Sequence, residues 1–487
     1  MLLPMYATTS LSNARRPVVN DAGVQLAILL AVGLLLRIST FGDPNLQIDE
    51  SFYLLVGEEM HKGAIPYVDI WDRKPLGIFL TYWVFAFFRN GVLAYQIGAW
   101  LSASLTAFLV TRIASRWAPA PAALLAGCIY LATAGVLLGF GGQTPIFYNT
   151  FVACAALLVF RYGSEREDWQ LYTAMLLLGV ALTFKQTVFF EASFFGLLAL
   201  GDHRSWRKAL LSITLGILPF ALIAGWYWLA GYWPQFFEAM VLANLDRPAH
   251  LSSIVRQNAL MLAAELGPLL IANLYAFLFY RDTFPARSLA LWLFAAVLGF
   301  FSVPFVVEHY ALPALVPLCI VAAAAFAARP LGPLLALGVG LTAIMLSEPV
   351  NFDRHRRSAA GFAQMVSAIG PLHRGERLLV YDGPPLLYYA VGTRPMSVLA
   401  FPEHLNNVFE KDVSTIRTVP ELRRVISMRP AAVVMAPIPI TPPDPATYRQ
   451  LLSYVRSQCA PPVAIDLVEP FGKPSPHIVY AKCGRAR

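Results

Sequence analysis

Residues 76–88, LGIFLTYWVFAFF, decide how the chain is threaded. The run is apolar throughout but has only 13 residues. A helix that crosses the hydrocarbon core of a bilayer needs about 20. Eleven other segments come nearer that length: 22–40, 92–111, 119–139, 147–162, 169–184, 187–201, 209–230, 258–280, 288–306, 310–327 and 331–348. If 76–88 does not cross, one side of the membrane receives Arg15, Arg16, Arg112, Arg116, Arg161, Arg166, Arg204, Arg207, Lys208, Arg281, Arg287 and Arg329. Before residue 348 the other side receives only Lys62, Arg73, Lys74, Arg89, Lys185, Arg247 and Arg256, over longer loops. That asymmetry is the positive-inside pattern. If 76–88 crossed, every later loop would change sides and the basic loops would face outward. The segment is therefore predicted to lie in the outer interface, where Tyr82 and Trp83 suit the headgroup level. The N-terminus is predicted inside, as a signal anchor without a cleavage pattern. The chain after residue 348 is predicted outside.

Composition agrees with a multi-pass membrane protein. Of the 487 residues, 57% are apolar and 14% are charged, against about 25% charged in a soluble domain. The 13% aromatic content excludes a disordered chain. A net charge of +8 without a long basic stripe fits anionic lipid better than nucleic acid. Five cysteines with no CxxC give neither a zinc ribbon nor a redox dithiol.

Beyond residue 348 charge and proline become frequent, and the apolar runs shorten. RLLVY (377–381), AAVVMA (431–436), VAIDLV (463–468) and HIVYAK (477–482) read as strands. AAGFAQMVSAIG, PELRRVISM and ATYRQLLSYVRS read as amphipathic helices. The expected organisation is a membrane domain over 1–348 and an extracytoplasmic α/β domain over 349–487. Cys459 and Cys483 fall in the latter, where a disulfide or two free thiols are equally compatible with the spacing.

The loop at 41–75 concentrates the chemistry. It holds Asp43, Asp49, Glu50, Glu58, Glu59, Asp69 and Asp72, seven of the 29 acids. Asp49 and Glu50 begin an amphipathic run about nine residues past the first span. Such a pair serves either as a general base facing a wet cavity or as the N-cap and first turn of the helix. Lys185, between two apolar runs, either meets a lipid phosphate or snorkels to the surface, and Arg37 invites the same two readings. The 139–149 loop offers Gln143, and 306–313 offers His309 and Tyr310. A lone histidine beside one glutamate is a weak metal signal. The aromatic residues from Trp226 to Trp233 read mainly as an interface belt.

The stretch 48–77, IDESFYLLVGEEMHKGAIPYVDIWDRKPLG, resembles the first outer loop of glycosyltransferases with the C-type membrane fold. It is most similar to a bacterial branch of family 39 that includes the lipid A aminoarabinose transferases and, more distantly, the protein O-mannosyltransferases. An Asp-Glu pair follows the first span, then a Gly-x-x-Pro-Tyr turn ending at Tyr67, then Lys74-Pro75 before an aromatic helix. TFKQT (183–187) and HYALPALVP (309–317) resemble later motifs of that family. The resemblance covers roughly residues 20–330. It implies a polyprenyl-phosphate sugar as donor, a lipid or glycan acceptor, and an active site at the outer face of the inner membrane. It implies Asp49 as the general base and Glu50 as its support. Arg73, Lys74, Lys185 and His309 would hold the donor phosphate, with Tyr67, Gln143 and Tyr310 completing the substrate site. Where many relatives carry a second acid in the second outer loop, this chain has Gln143. No metal site is assigned, and use of a divalent metal stays open.

A transporter or lipid flippase is the alternative. It predicts ionisable residues at mid-bilayer and paired broken helices, whereas here the span centres hold few charges and no inverted repeat is visible.

Overall fold

In this computed structural model the chain is described over residues 20–201, 205–245, 252–303, 307–437, 439, 441–468 and 474–484. Arg15, Arg16, Arg204 and Arg247 of the loop-charge comparison lie outside the described residues. The helices begin with α1 (Ala22–Leu35), α2 (Ile48–His61), α3 (Leu76–Phe85), α4 (Gly91–Ala114) and α5 (Ala120–Val136). They continue with α6 (Thr144–Glu165), α7 (Asp168–Leu182), α8 (Val188–Leu200) and α9 (Trp206–Leu229).

Burial separates the helices at the centre from those at the rim. Every residue from Leu312 to Phe326 is buried in the helix Leu312–Ala327. The small side chains of Ala322–Ala325 let neighbouring backbones approach closely, as helices packed in lipid require. In contrast, α9 buries only Ser212 and Tyr227 among its 24 residues. Leu210, Leu222 and Leu229 are more than half exposed. An outward apolar surface of that extent is stable against lipid and unstable against water.

All eleven predicted segments are helical, but not all are full-length spans. Five described helices are long and apolar enough to cross a bilayer. The predicted span 258–280 is broken into Val255–Glu265 and Gly267–Phe279, which meet at 70°. The break falls where Glu265, Gly267 and Pro268 interrupt the apolar run, and Pro268 opens the second helix because it cannot continue the first. Helices α1, α5, α7, α8 and Ala286–Phe301 have 13 to 17 residues. At 1.5 Å per residue these measure about 20–25 Å. Helix α3, with ten residues, is about 15 Å long and too short to cross.

The C-terminal portion contains a four-stranded mixed sheet. Its strands are β1 (Leu378–Val380), β2 (Ala432–Met435), β3 (Val463–Val468) and β4 (Pro474–Tyr480), in the order β1-β2-β4-β3. The β1–β2 pair is parallel and the other two pairs are antiparallel. All four predicted strands and all three predicted helices are present, the latter as Phe352–Ile369, Thr418–Ser427 and Pro445–Gln458. Residues alternate between the two faces, as a pleated strand requires. Leu378, Val380, Ala432 and Val434 join the core that continues into the bundle. Leu379, Val433 and Met435 pack under Leu422, Val425 and Leu451 in a second core. Cys459 and Cys483 are joined in a disulfide beside that second core.

Candidate active site

The loop between α1 and α2 is tied to the C-terminal portion before it reaches the site. Asp43, 3% exposed, accepts hydrogen bonds from His355 Nδ1 at 2.8 Å and Ser358 Oγ at 2.9 Å. Arg37 donates to the Phe140 carbonyl, so the structure takes neither of its two predicted readings. These contacts set where α2 starts.

Asp49 and Glu50 occupy the first turn of α2, but Gln47 is the N-cap and no side chain caps that end. Asp49 turns outward instead. Its carboxylate lies 3.2 Å from Lys74 Nζ and accepts from Gln143 Nε2 at 3.5 Å. Burial pushes the Asp49 carboxyl up, but the charge of Lys74 and hydrogen bonds from Lys74 and Gln143 outweigh burial and hold it below its ordinary range. Glu50 points the other way and is fully buried. Neither of its oxygens has a well-formed hydrogen bond, and the nearest donors are the Gly142 backbone N–H and the Tyr95 hydroxyl. Burial, with the neighbouring Asp49 charge, pushes Glu50 up to about 8.

The segment before α3 delivers the cations. Asp72 accepts from the Arg73 and Lys74 backbone N–H groups at 2.6 and 3.1 Å, bending the chain so that Lys74 Nζ sits 3.3 Å from Asp72. Burial lowers the Lys74 pKa, but Asp49 and Asp72 outweigh it and hold Lys74 charged, well above its ordinary range. Tyr67, at φ +70°, donates to the Lys74 carbonyl at 2.8 Å. Its ring packs among Phe79, Tyr227 and Phe236. Tyr227 from the predicted aromatic belt is fully buried and donates to the Pro66 carbonyl at 3.2 Å, while Trp226 and Trp228 are exposed. Between α7 and α8, Lys185 lays its ammonium over the Tyr310 ring, 3.5 Å from the centroid. His309 packs edge-on against Tyr310 at 4.6 Å. Its Nδ1 is buried with no hydrogen-bond partner among the described residues.

One cavity of about 980 Å³ gathers most of these groups. Asp49, Arg73, Lys74, Gln143, Lys185, His309 and Tyr310 all line it. Glu50 and Tyr67 do not; they lie behind the wall and shape it. Phe189, Phe190, Ile217 and Phe220 add an apolar lining to the same space. Arg73 is held by Glu410 of the C-terminal portion. Asp382, Glu403, His404, Asn406 and His477 from that portion line the cavity as well. The sequence reading missed all of these, because no local motif marks them and they come from more than 300 residues further along the chain. Among the described residues, no three His, Cys, Asp or Glu side chains converge as a metal centre.

No family model matches the sequence, and no curated protein matches it either. Solved structures do match. The crystal structure of ArnT from Cupriavidus metallidurans in the apo state superposes with a TM-score of 0.60 at 14% identity, covering 95% of this chain and 98% of that one. The structure of the same protein bound to undecaprenyl phosphate gives a TM-score of 0.60 at 15% identity over the same shares. This chain has the ArnT fold. The C-type membrane fold implied by the 48–77 stretch is therefore the fold observed, over nearly the whole chain. At this identity the match shows the architecture alone.

Proposed function

We propose that the protein is an inverting glycosyltransferase that moves a sugar from a polyprenyl phosphate to a hydroxyl of an envelope lipid or glycan. The observation that carries this reading is one cavity in which a carboxylate, Asp49, faces the cations Lys74 and Lys185 beside an apolar lining. A polyprenyl-phosphate sugar needs those three features together. The chain needs an apolar channel, the phosphate needs positive charge, and the incoming hydroxyl needs a base on the far side of the anomeric carbon. One structure of the ArnT fold is bound to undecaprenyl phosphate, which supports a polyprenyl phosphate as the ligand here.

In this mechanism the acceptor oxygen attacks the anomeric carbon as its proton passes to Asp49. The new C–O bond forms while the bond from carbon to phosphate oxygen breaks, and the phosphate leaves with the electron pair. Lys74 serves both ends. Before the donor arrives it keeps Asp49 ionised. The donor phosphate then competes for the same ammonium, and Asp49 gains basicity as that pairing loosens. Lys185 and His309 complete the phosphate site.

The reading places residues 1–348 in the membrane with a cytoplasmic N-terminus, and 349–487 outside it. The Cys459–Cys483 disulfide supports that side for the C-terminal portion. The test is envelope mass spectrometry on wild type, a deletion strain and Asp49→Asn. Loss of one sugar from a defined acceptor in both altered strains, with the polyprenyl-linked donor accumulating, is expected. A normal glycan profile in Asp49→Asn, with the protein present in the membrane, removes Asp49 as the base.

A further inference from the structure

The C-terminal portion is seated directly on the loop that carries Asp49. The Leu386 N–H donates to Ser51 Oγ at 2.9 Å, two residues past Asp49. The Trp71 N–H donates to the Val398 carbonyl at 2.9 Å. Phe52 and Phe401 meet edge to face at 5.1 Å. One wall of the cavity is therefore built by the sheet and its loops.

Two polar groups in that wall are incomplete. Asn406 is 2% exposed and lines the cavity. Its Nδ2 donates to the Tyr381 carbonyl at 2.8 Å, which fixes the amide orientation. Its Oδ1 is buried with no hydrogen-bond partner among the described residues. A buried acceptor without a donor destabilises the fold. A stable fold tolerates that cost where a ligand relieves it. His477, 4% exposed, lines the same wall. Its Nδ1 lies 2.9 Å from the Ser475 carbonyl. A carbonyl only accepts, so Nδ1 carries the proton and Nε2 is left as an acceptor. Burial holds the ring below its ordinary pKa, so the imidazole is neutral. Gly383, at φ +143°, carries the intervening loop past the ring; a Cβ there would lie 3.1 Å from Val434 and 3.4 Å from His477.

The cavity is thus polarised. Lys74 and Lys185 line it from the bundle, while the C-terminal portion offers two neutral acceptors and the acids Asp382 and Glu403, its Glu410 being paired with Arg73. Neutral acceptors bring phosphate no positive charge and receive hydroxyl protons. We propose that Asn406 and His477 form a hydroxyl-binding subsite for a sugar ring, in the same cavity as the phosphate-binding lysines. The proposal rests on the transferase reading and extends it, since it makes the C-terminal portion part of substrate selection.

The test uses the purified full chain in nanodiscs. The probes are undecaprenyl phosphate and a set of undecaprenyl-phosphoryl hexoses and pentoses, with dissociation constants measured for each. Two neutral hydrogen bonds at about 1 kcal/mol each imply that wild type binds at least one sugar-bearing lipid about 10-fold or more tighter than the sugar-free lipid. Asn406→Ala and His477→Phe are expected to lose that increment while binding undecaprenyl phosphate as wild type does, which also reports an intact fold. Loss of the increment assigns the donor's sugar. An intact increment with a raised KM for a glycolipid fraction from the host envelope assigns the acceptor's sugar. Variants unchanged in both measurements, or weakened equally for all lipids, overturn the subsite. Failure of wild type to bind undecaprenyl phosphate at all overturns the transferase reading, and the subsite with it.

Discussion

Glu50→Gln isolates the consequence of placing a carboxyl where no solvent reaches it. Glu50 is fully buried behind Asp49, and neither of its oxygens has a well-formed hydrogen bond. Its pKa moves from 4.5 to about 8, first because burial disfavours the anion. The folded protein therefore keeps this proton up to about pH 8, while the unfolded chain releases it near 4.5. Between those values the native state binds more protons than the unfolded state, so stability is full at low pH and falls as pH rises. Each pH unit in that interval removes about 1.4 kcal/mol, giving about 3 kcal/mol by pH 7 and about 5 kcal/mol by pH 8. Glutamine keeps the shape and cannot ionise. The assay is thermal unfolding in detergent, followed by tryptophan fluorescence, for both proteins from pH 4.5 to 8.5. The difference between the two curves isolates Glu50 from the other titrating groups. The curves should meet near pH 5 and separate progressively, with Glu50→Gln the more stable at pH 8. Transfer activity at pH 6.5 should survive, because the native side chain is already neutral there. Parallel curves, or a folded Glu50→Gln protein without activity at pH 6.5, would refute the reasoning.

Other substitutions test the site and its frame. Lys185→Ala should raise the donor KM about 10- to 100-fold by removing a charge-assisted contact of about 1.5–3 kcal/mol; an unchanged donor dependence returns Lys185 to the surface-snorkelling reading. Gly57→Ala places a Cβ 2.6 Å from the Tyr82 carbonyl oxygen, forcing α2 and α3 apart at a cost of about 1–3 kcal/mol. Its melting temperature should drop, and a wild-type melting curve would show that the helices have room to spare. Cys459→Ser opens a link between residues 24 apart in sequence and should cost about 3 kcal/mol. Thiol alkylation without reductant should label neither Cys459 nor Cys483 in wild type; labelling of both would refute the link.

Much of this molecule was legible from its residues, for reasons that are local. Apolar runs such as 92–111 become helices because a chain in lipid must satisfy its own backbone hydrogen bonds. The strands at 377–381, 431–436, 463–468 and 477–482 were legible because short apolar runs between polar turns have few other ways to bury themselves. The motif residues Asp49, Lys74, Lys185 and His309 were singled out one at a time, since a charge or imidazole among apolar neighbours needs a reason. The choice between a helix cap and a cavity-facing acid at Asp49 was not legible. Both readings place the same residue type at the same helix start, and only the position of Lys74 and Gln143 separates them.

What the sequence determined by itself is the helical membrane architecture, the presence of a C-terminal sheet, and which loops carry ionisable groups. The tertiary structure alone decided that segments far apart in the chain meet around one cavity. It also decided that Glu50 turns away from that cavity, that the break at Gly267-Pro268 amounts to 70°, and that Asn406 and His477 line the same cavity as the lysines. Periodicity and propensity act over a few residues, whereas contacts between residues more than 300 positions apart, such as Ser51 with Leu386, depend on how whole helices and a sheet pack together.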